Sequence, residues 1–231
     1  MGQKSAVALL SGGLDSVVSL SFCLKECDVK FVVIFNYGQR SFSSEYKAVK
    51  IICEYYELSF KVVELPWLEE ITTTSLVDKA KQVPRYTLEG LESDIKVLKE
   101  SAKSVWVPNR NGVMLNIAAS FAESLHCDYV IFGANAEEAV TFPDNSNTYV
   151  EKLNESLSIS TCNAVKIYAP FAEKTKSEIV DYAIKNNVPL GFLWSCYFSG
   201  EKHCGTCESC VRLKRALNNN NQSDVWREIS V

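Results

Sequence analysis

No run in this chain of 231 residues approaches the roughly 18 consecutive apolar positions that a membrane-spanning helix requires. The N-terminal stretch MGQKSAVALLSGGLDS lacks the longer apolar region and small-residue cleavage site of a secretory leader, passing from a short apolar run straight into a glycine turn. Residue 6 is Ala6, where an N-myristoylation start beginning Met1-Gly2 wants Ser or Thr. A cytoplasmic protein with no membrane partner is therefore expected. An excess of positive charge is missing too. The formal net charge is -4, which argues against broad binding to nucleic acid, although a local basic groove stays compatible with it. No internal repeat is found. Two familiar phosphate-binding signatures are also absent: no Gly-Lys-Ser/Thr of a Walker A loop, and no G-x-G-x-x-G of a dinucleotide fold.

What is present is the composition of a globular domain, 47% hydrophobic and 23% charged, long enough for one α/β domain with a full core. Five apolar, β-branched-rich runs predict strands at Ala6–Leu10, Phe31–Phe35, Lys61–Leu65, Tyr129–Phe132 and Val165–Tyr168. Helical patterning predicts helices over Leu14–Lys25, Ser43–Glu57, Val113–Leu125, Tyr149–Ser158 and Ser177–Lys185. The last begins with a capping-box pair, Thr175 and Glu178. Near-continuous apolar strands alternating with helices indicate a doubly wound parallel sheet of about five strands, covered on both faces. Residues 66–108 interrupt the pattern with Pro66, Pro84 and Pro108, and read equally as a solvated insertion or a lid; Leu91–Lys103 within them has helical character. Asn218–Asn221 reads as a frayed helix end, with Val225–Ile229 docking back through Trp226.

The strand Ala6–Leu10 runs directly into Ser11-Gly12-Gly13-Leu14-Asp15-Ser16 and then into a helix. Glycines allow a sharp turn and close approach to phosphate, while free N–H groups and the helix dipole favour an anion. Ser11 and Ser16 add hydroxyl donors. Asp15 would repel phosphate unless a cation intervenes, and Mg²⁺ held by one carboxylate and phosphate oxygens resolves that conflict.

Nine cysteines are many for a cytoplasmic chain. Cys23, Cys27, Cys53, Cys127 and Cys162 lie in helix-like or apolar segments and read as buried small hydrophobes. Cys196, Cys204, Cys207 and Cys210 read C-x7-C-x2-C-x2-C, a spacing that lets four thiolates close around one tetrahedral Zn²⁺ in a structural site. An iron–sulfur cluster and unliganded thiols remain alternatives, although Lys214 stands where a ferredoxin run would place its fourth cysteine. His203, beside Cys204, reads as an exposed neighbour rather than a ligand.

SGGLDS resembles the signature of the PP-loop ATP pyrophosphatase superfamily, which implies an adenine nucleotide α-hydrolase-like Rossmann variant that activates an oxygen with ATP. Asn36-Tyr37-Gly38-Gln39-Arg40, Val107-Pro108-Asn109-Arg110-Asn111, Phe142-Pro143-Asp144, Lys174 and Lys176, and the cysteine quartet extend the match. From Ala6 to about Leu217 the chain resembles the 7-cyano-7-deazaguanine synthase family, the nitrile-forming enzymes of queuosine precursor synthesis. It departs from that family's pattern in having Asn145 where Cys is frequent, and in the acidic stretch Ala134-Asn135-Ala136-Glu137-Glu138.

The resemblance implies conversion of 7-carboxy-7-deazaguanine and ammonia, with ATP and Mg²⁺, to the nitrile. It implies ATP binding along Leu9, Leu10, Ser11, Gly12, Gly13, Leu14, Asp15, Ser16, Val17, Val18 and Ser19. Asp15, Ser16, Arg110 and Lys176 are the implied catalytic residues, and Tyr37, Gln39, Arg110, Asn111 and Asp144 the substrate contacts. Asp144 suits the guanine-like edge, whose two donors a carboxylate matches. Residues 1–190 are expected to form the catalytic domain, with 191–231 as a metal segment packed on it. One structural zinc per chain, a homodimer and no nucleic-acid partner complete the expectation. A tRNA-thiolating PP-loop enzyme is the alternative, and a zinc-bearing binding module without catalysis is a further one.

Overall fold

The computed structural model describes residues 3–92 and 94–231. The N-terminal pair Met1-Gly2, where a lipid would attach, lies outside the described residues. The first half of the chain alternates strands and helices: β1 (Lys4–Leu9), α1 (Leu14–Cys23), β2 (Cys27–Asn36), α2 (Phe42–Tyr55) and β3 (Phe60–Glu64). Three helices then occupy the interrupting stretch: α3 (Pro66–Ile71), α4 (Leu88–Glu92) and α5 (Ile95–Val105). The alternation resumes with α6 (Arg110–Ser124), β4 (Tyr129–Ile131), α7 (Ala136–Ala139), α8 (Asn147–Ser160), β5 (Lys166–Tyr168) and α9 (Lys176–Lys185), and the chain ends with α10 (Glu208–Asn219) and α11 (Ser223–Ile229).

The five strands form one sheet in the order β3-β2-β1-β4-β5, with every pair parallel. Along β1 the side chains alternate between two cores. Ala6 and Ala8 face the layer made by α1, α2, α9 and α10, and Val7 faces the layer made by α6, α8 and the end of α5. Both faces are covered, which is why the strands read as continuous apolar runs. The connection after β1 leads to one side of the sheet, whereas β4 lies on its other side. The carboxyl ends of β1 and β4 therefore bound the crevice where ligands bind in such sheets.

Strands and helices fall within a few residues of expectation, with two differences that matter. Helix α6 begins at Arg110 rather than Val113, so Arg110 is its first helical residue instead of a loop residue, with Asn109 before it at φ +49°. Residues 66–108 are not a solvated insertion: Leu68, Leu76, Val77, Val83, Leu91, Val105 and Val107 are buried. They wall the crevice and reach the cysteine segment, where the Tyr86 N–H donates to the Thr206 carbonyl at 2.8 Å. The helix expected over 91–103 is instead the pair α4 and α5; residue 93 between them lies outside the described residues. Trp226 of α11 docks as its sequence suggests and is buried. Of the five scattered cysteines, Cys162 is exposed, because it follows α8 on a surface turn, and the other four are buried. Among the described residues no helix is long and apolar enough to cross a membrane.

Candidate active site

A cavity of about 210 Å³ opens at the carboxyl ends of β1 and β4. Its floor is the loop 11–16. Gly12 has φ +80°, a conformation an L side chain rarely adopts, and an added Cβ would press on the Cβ of Ala48 at 3.0 Å. Gly133, at the exit of β4, lies so close to α1 that a Cβ there would meet the Ser16 backbone at 2.5 Å. The loop is self-supporting. Ser16 Oγ donates to the Gly13 carbonyl at 3.0 Å, and the Ser11 and Ser16 hydroxyls lie 3.2 Å apart. The first-turn N–H groups of α1 have no intrahelical acceptor; that of Leu14 donates to Ser195 Oγ at 3.4 Å, and those of Asp15 and Ser16 are left for an anion at the helix terminus. Leu9, Leu10, Ser11, Gly13, Leu14, Asp15 and Ser16 line it. Gly12 shapes the turn, whereas Val17, Val18 and Ser19 are buried inside α1 and do not reach the cavity.

Asp15 sits in that first turn. Its Oδ2 accepts from the Lys176 ammonium at 2.6 Å, while Oδ1 is buried with no hydrogen-bond partner. Burial pushes the Asp15 carboxyl above its ordinary pKa, against the pull of Lys176. Lys176, the first residue of α9, is buried in the site. It is 4% exposed, and its ammonium also pairs with Glu138 Oε1 at 2.8 Å. Burial opposes its charge, but Asp15 and Glu138 together hold its pKa above the usual lysine value. A buried carboxylate oxygen without a donor, beside the open Asp15 and Ser16 N–H groups of the same turn, fits a Mg²⁺ ion carried in with a polyphosphate.

The opposite wall holds the other sequence candidates. Arg110 Nη1 donates to the Tyr37 hydroxyl at 2.9 Å, with the guanidinium 5.7 Å from the Tyr37 ring centre. Asn111 is buried and lines the cavity. Gln39 also lines it, but its amide is engaged by protein: Nε2 donates to the Phe35 carbonyl and to Glu45, and Oε1 accepts from the Tyr37 N–H. Asp144 stands behind the wall next to Asn145, with Oδ1 buried and unpartnered; burial raises its pKa and Arg110 opposes the rise.

The four cysteine sulfurs of 196, 204, 207 and 210 all lie within 4.8 Å of one another. Tetrahedral Zn–S bonds of about 2.3 Å set sulfurs roughly 3.8 Å apart, and the Cys204 and Cys210 sulfurs are 3.9 Å apart. Backbone N–H groups of Phe198 and Cys204 donate to Cys196 Sγ, and that of Cys207 to Cys204 Sγ, each at 3.4 Å, a setting that favours thiolates. The donor set fits a closed four-thiolate metal site. His203 is not exposed beside it. It is fully buried between Trp194 and Trp226, accepting at Nε2 from the Ser195 N–H at 3.0 Å. The pairing of His203 with Ser230 brings the chain end over the ring, an arrangement that adjacency to Cys204 in sequence could not reveal.

Several site residues escaped the sequence reading. Glu138 and Glu45 line the cavity, Ser195 Oγ accepts from the Leu14 N–H at 3.4 Å, and Tyr197 adds a half-buried phenol from the cysteine segment. Only the acidic character of residues 134–138 gave a signal; Ser195 lies 181 residues from its partner and gave none.

A five-stranded parallel sheet with this glycine–serine cradle after its central strand, and a cysteine quartet at its end, defines a PP-loop nucleotide-binding fold. The chain resembles the solved U34-tRNA thiolase NcsA from Methanococcus maripaludis with its 4Fe–4S cluster, at a TM-score of 0.50 over 98% of this chain and 70% of that one; at 15% identity the likeness shows the fold alone. The chain belongs to the family described as Queuosine biosynthesis protein QueC, whose model matches residues 5–221. It is 48% identical over 216 residues to a 7-cyano-7-deazaguanine synthase from Methanosarcina mazei, covering 93% of this chain and 94% of that protein. A second, from Carboxydothermus hydrogenoformans, is 46% identical over 94% of this chain and 100% of its own length. The protein is an enzyme of this family.

Proposed function

We propose that the protein is an ATP-dependent carbon–nitrogen ligase that converts 7-carboxy-7-deazaguanine and ammonia to 7-cyano-7-deazaguanine. The observation that carries this reading is the unpartnered Asp15 Oδ1 within a phosphate cradle that is continuous with a cavity bearing Arg110, Tyr37 and Asn111. A carboxylate is a poor electrophile, because its leaving group is oxide. The carboxylate oxygen attacks a phosphorus of ATP, a phosphoanhydride P–O bond breaks with the rest of the phosphate chain leaving, and the oxygen becomes part of a mixed acyl–phosphoric anhydride. Ammonia then adds to the carbon, the C–O bond breaks with the phosphorylated oxygen leaving, and a proton is lost to give the amide. A second activation, on the amide oxygen, lets that C–O bond break as the nitrogen loses its protons, leaving the nitrile.

The protein's part is positioning and charge stabilisation. The first-turn N–H groups of α1, with Ser11 and Ser16, would hold phosphate, and Asp15 would hold Mg²⁺, which neutralises the polyphosphate. Arg110 is fixed by Tyr37, so its charge is available to a substrate carboxylate without reorganisation. Asp144 lies behind the cavity wall with Oδ1 buried and unpartnered, and reaching the two donors of the guanine-like edge would require Asp144 to turn toward the cavity. Residues 1–190 would carry this machinery, and 191–231 would hold one structural Zn²⁺ on Cys196, Cys204, Cys207 and Cys210. Incubation with ATP, Mg²⁺, ammonia and the carboxylate, followed by mass spectrometry, tests the reading; the expected product is the nitrile, and recovery of unchanged carboxylate overturns it.

A further inference from the structure

Glu137 and Glu138 hold the two ends of one lysine. Glu138 Oε1 pairs with the Lys176 ammonium at 2.8 Å, and Glu137 Oε1 accepts from the Lys176 backbone N–H at 2.9 Å. The Asn135 side chain caps α7 by accepting from the Glu138 N–H at 2.9 Å, which sets where both carboxylates project. Glu137 is itself paired with Arg212 at 3.5 Å and with Arg215, both on α10. Lys176 is thus anchored at its backbone by one glutamate, while its ammonium bridges Asp15 and the other. None of the roles assigned to the site uses this acidic pair.

A buried ammonium that loses its counterion pays a large desolvation cost. Lys176 shares Asp15 with whatever cation Asp15 takes up, so the two positive charges compete for one carboxylate. The geometry points to Glu138 as a positioning residue that resolves this competition: it keeps Lys176 neutralised while Asp15 turns to the Mg²⁺–nucleotide. This inference rests on the reading of Asp15 as a cation ligand. Burial pushes the Glu138 carboxyl up, but Lys176, with a smaller contribution from Arg212, leaves it below the ordinary glutamate value and so ionised for the task.

The consequence is specific. With Glu138 neutral, Lys176 has Asp15 alone and should compete harder with Mg²⁺. In Glu138→Gln, the Mg²⁺ concentration at half-saturation for binding a non-hydrolysable ATP analogue, measured by calorimetry, should rise on the order of ten-fold, the size expected for one charge-assisted hydrogen bond. Affinity should return to the wild-type level at high Mg²⁺. In Glu138→Gln/Lys176→Met the competing ammonium is gone, and the midpoint should fall to or below that of the wild type. An unchanged midpoint in the single variant, or an equal loss of affinity at every Mg²⁺ concentration, overturns the inference. Should the single variant not fold, the double variant decides alone: a midpoint well above wild type overturns the inference, and one at or below it upholds it. Asp15→Asn, measured alongside, separates the two readings. If Asp15→Asn leaves the Mg²⁺ dependence intact, the cation role of Asp15 fails. If it abolishes that dependence while Glu138→Gln behaves as wild type, only the role of Glu138 fails.

Discussion

The Trp194 backbone N–H donates to the Gly12 carbonyl at 2.8 Å, so the segment bearing the four cysteines hangs directly on the phosphate loop. Ser195, the next residue, accepts from the Leu14 N–H, and Cys196 follows it. The purified protein should therefore be colourless with one zinc per chain, and Cys→Ser at any of the four positions should lower the melting temperature or cause insolubility, because metal binding there is folding free energy. Chelation should also weaken nucleotide binding, since the cradle loses its tie. Metal analysis, melting curves and calorimetry check this; a brown protein absorbing near 400 nm, roughly where iron–sulfur clusters absorb, would overturn the zinc assignment.

Asp15→Asn should fold normally and lose most activity. The substitution keeps the shape beside Lys176 but removes the charge that draws in a cation. Turnover near wild type at saturating Mg²⁺ and ATP would remove Asp15 from the reaction.

Asp144→Asn should weaken binding of the deazaguanine carboxylate by about 1–3 kcal/mol, the cost of a buried mispaired contact, and leave ATP binding intact. An amide offers one acceptor and one donor to an edge that presents two donors. Calorimetry with each ligand separately reads the difference, and unchanged deazaguanine affinity would exclude the contact.

Arg110→Lys should raise KM for the carboxylate substrate more than it lowers kcat. Lysine keeps the charge but loses the planar fork that Tyr37 holds in place. Tyr37→Phe should give a smaller change in the same direction, by freeing the guanidinium. Steady-state kinetics with varied carboxylate decide it; a fall confined to kcat would place Arg110 on the phosphate side instead.

Burial raises the pKa of Asp15, although Lys176 opposes the rise. A carboxyl whose pKa is higher in the folded state prefers its proton there, so ionising it costs stability as pH rises through the folded value. Mg²⁺ needs the ionised form. The acid limb of kcat/KM should therefore lie above the ordinary aspartate value of about 3.9. The rise in melting temperature on adding Mg²⁺ and an ATP analogue should likewise be larger at neutral than at mildly acidic pH. Melting curves across pH test the sign directly.

The elements and motifs that depend on neighbours in sequence were legible from the residues alone. Strand positions follow from local apolar runs, the cradle from the succession of strand, glycines and helix start, and the metal quartet from C-x7-C-x2-C-x2-C. The capping box at Thr175 and Glu178 forms as its spacing predicts. Each of these is a short-range constraint, written within a turn or two of chain.

Which charged groups became buried partners was decided only by tertiary structure. Lys176 gains Asp15 as its partner only because the sheet order brings together residues 161 apart in sequence, and His203 looks exposed until the chain end closes over it. The stretch 66–108 becomes a wall only because its apolar residues find the face of the sheet made by Val7, Val33 and Val130. The physical reason is common to all three. Burying a charge or an irregular segment is favourable only when its partners are already in place, and those partners come from strands that the parallel crossovers set side by side.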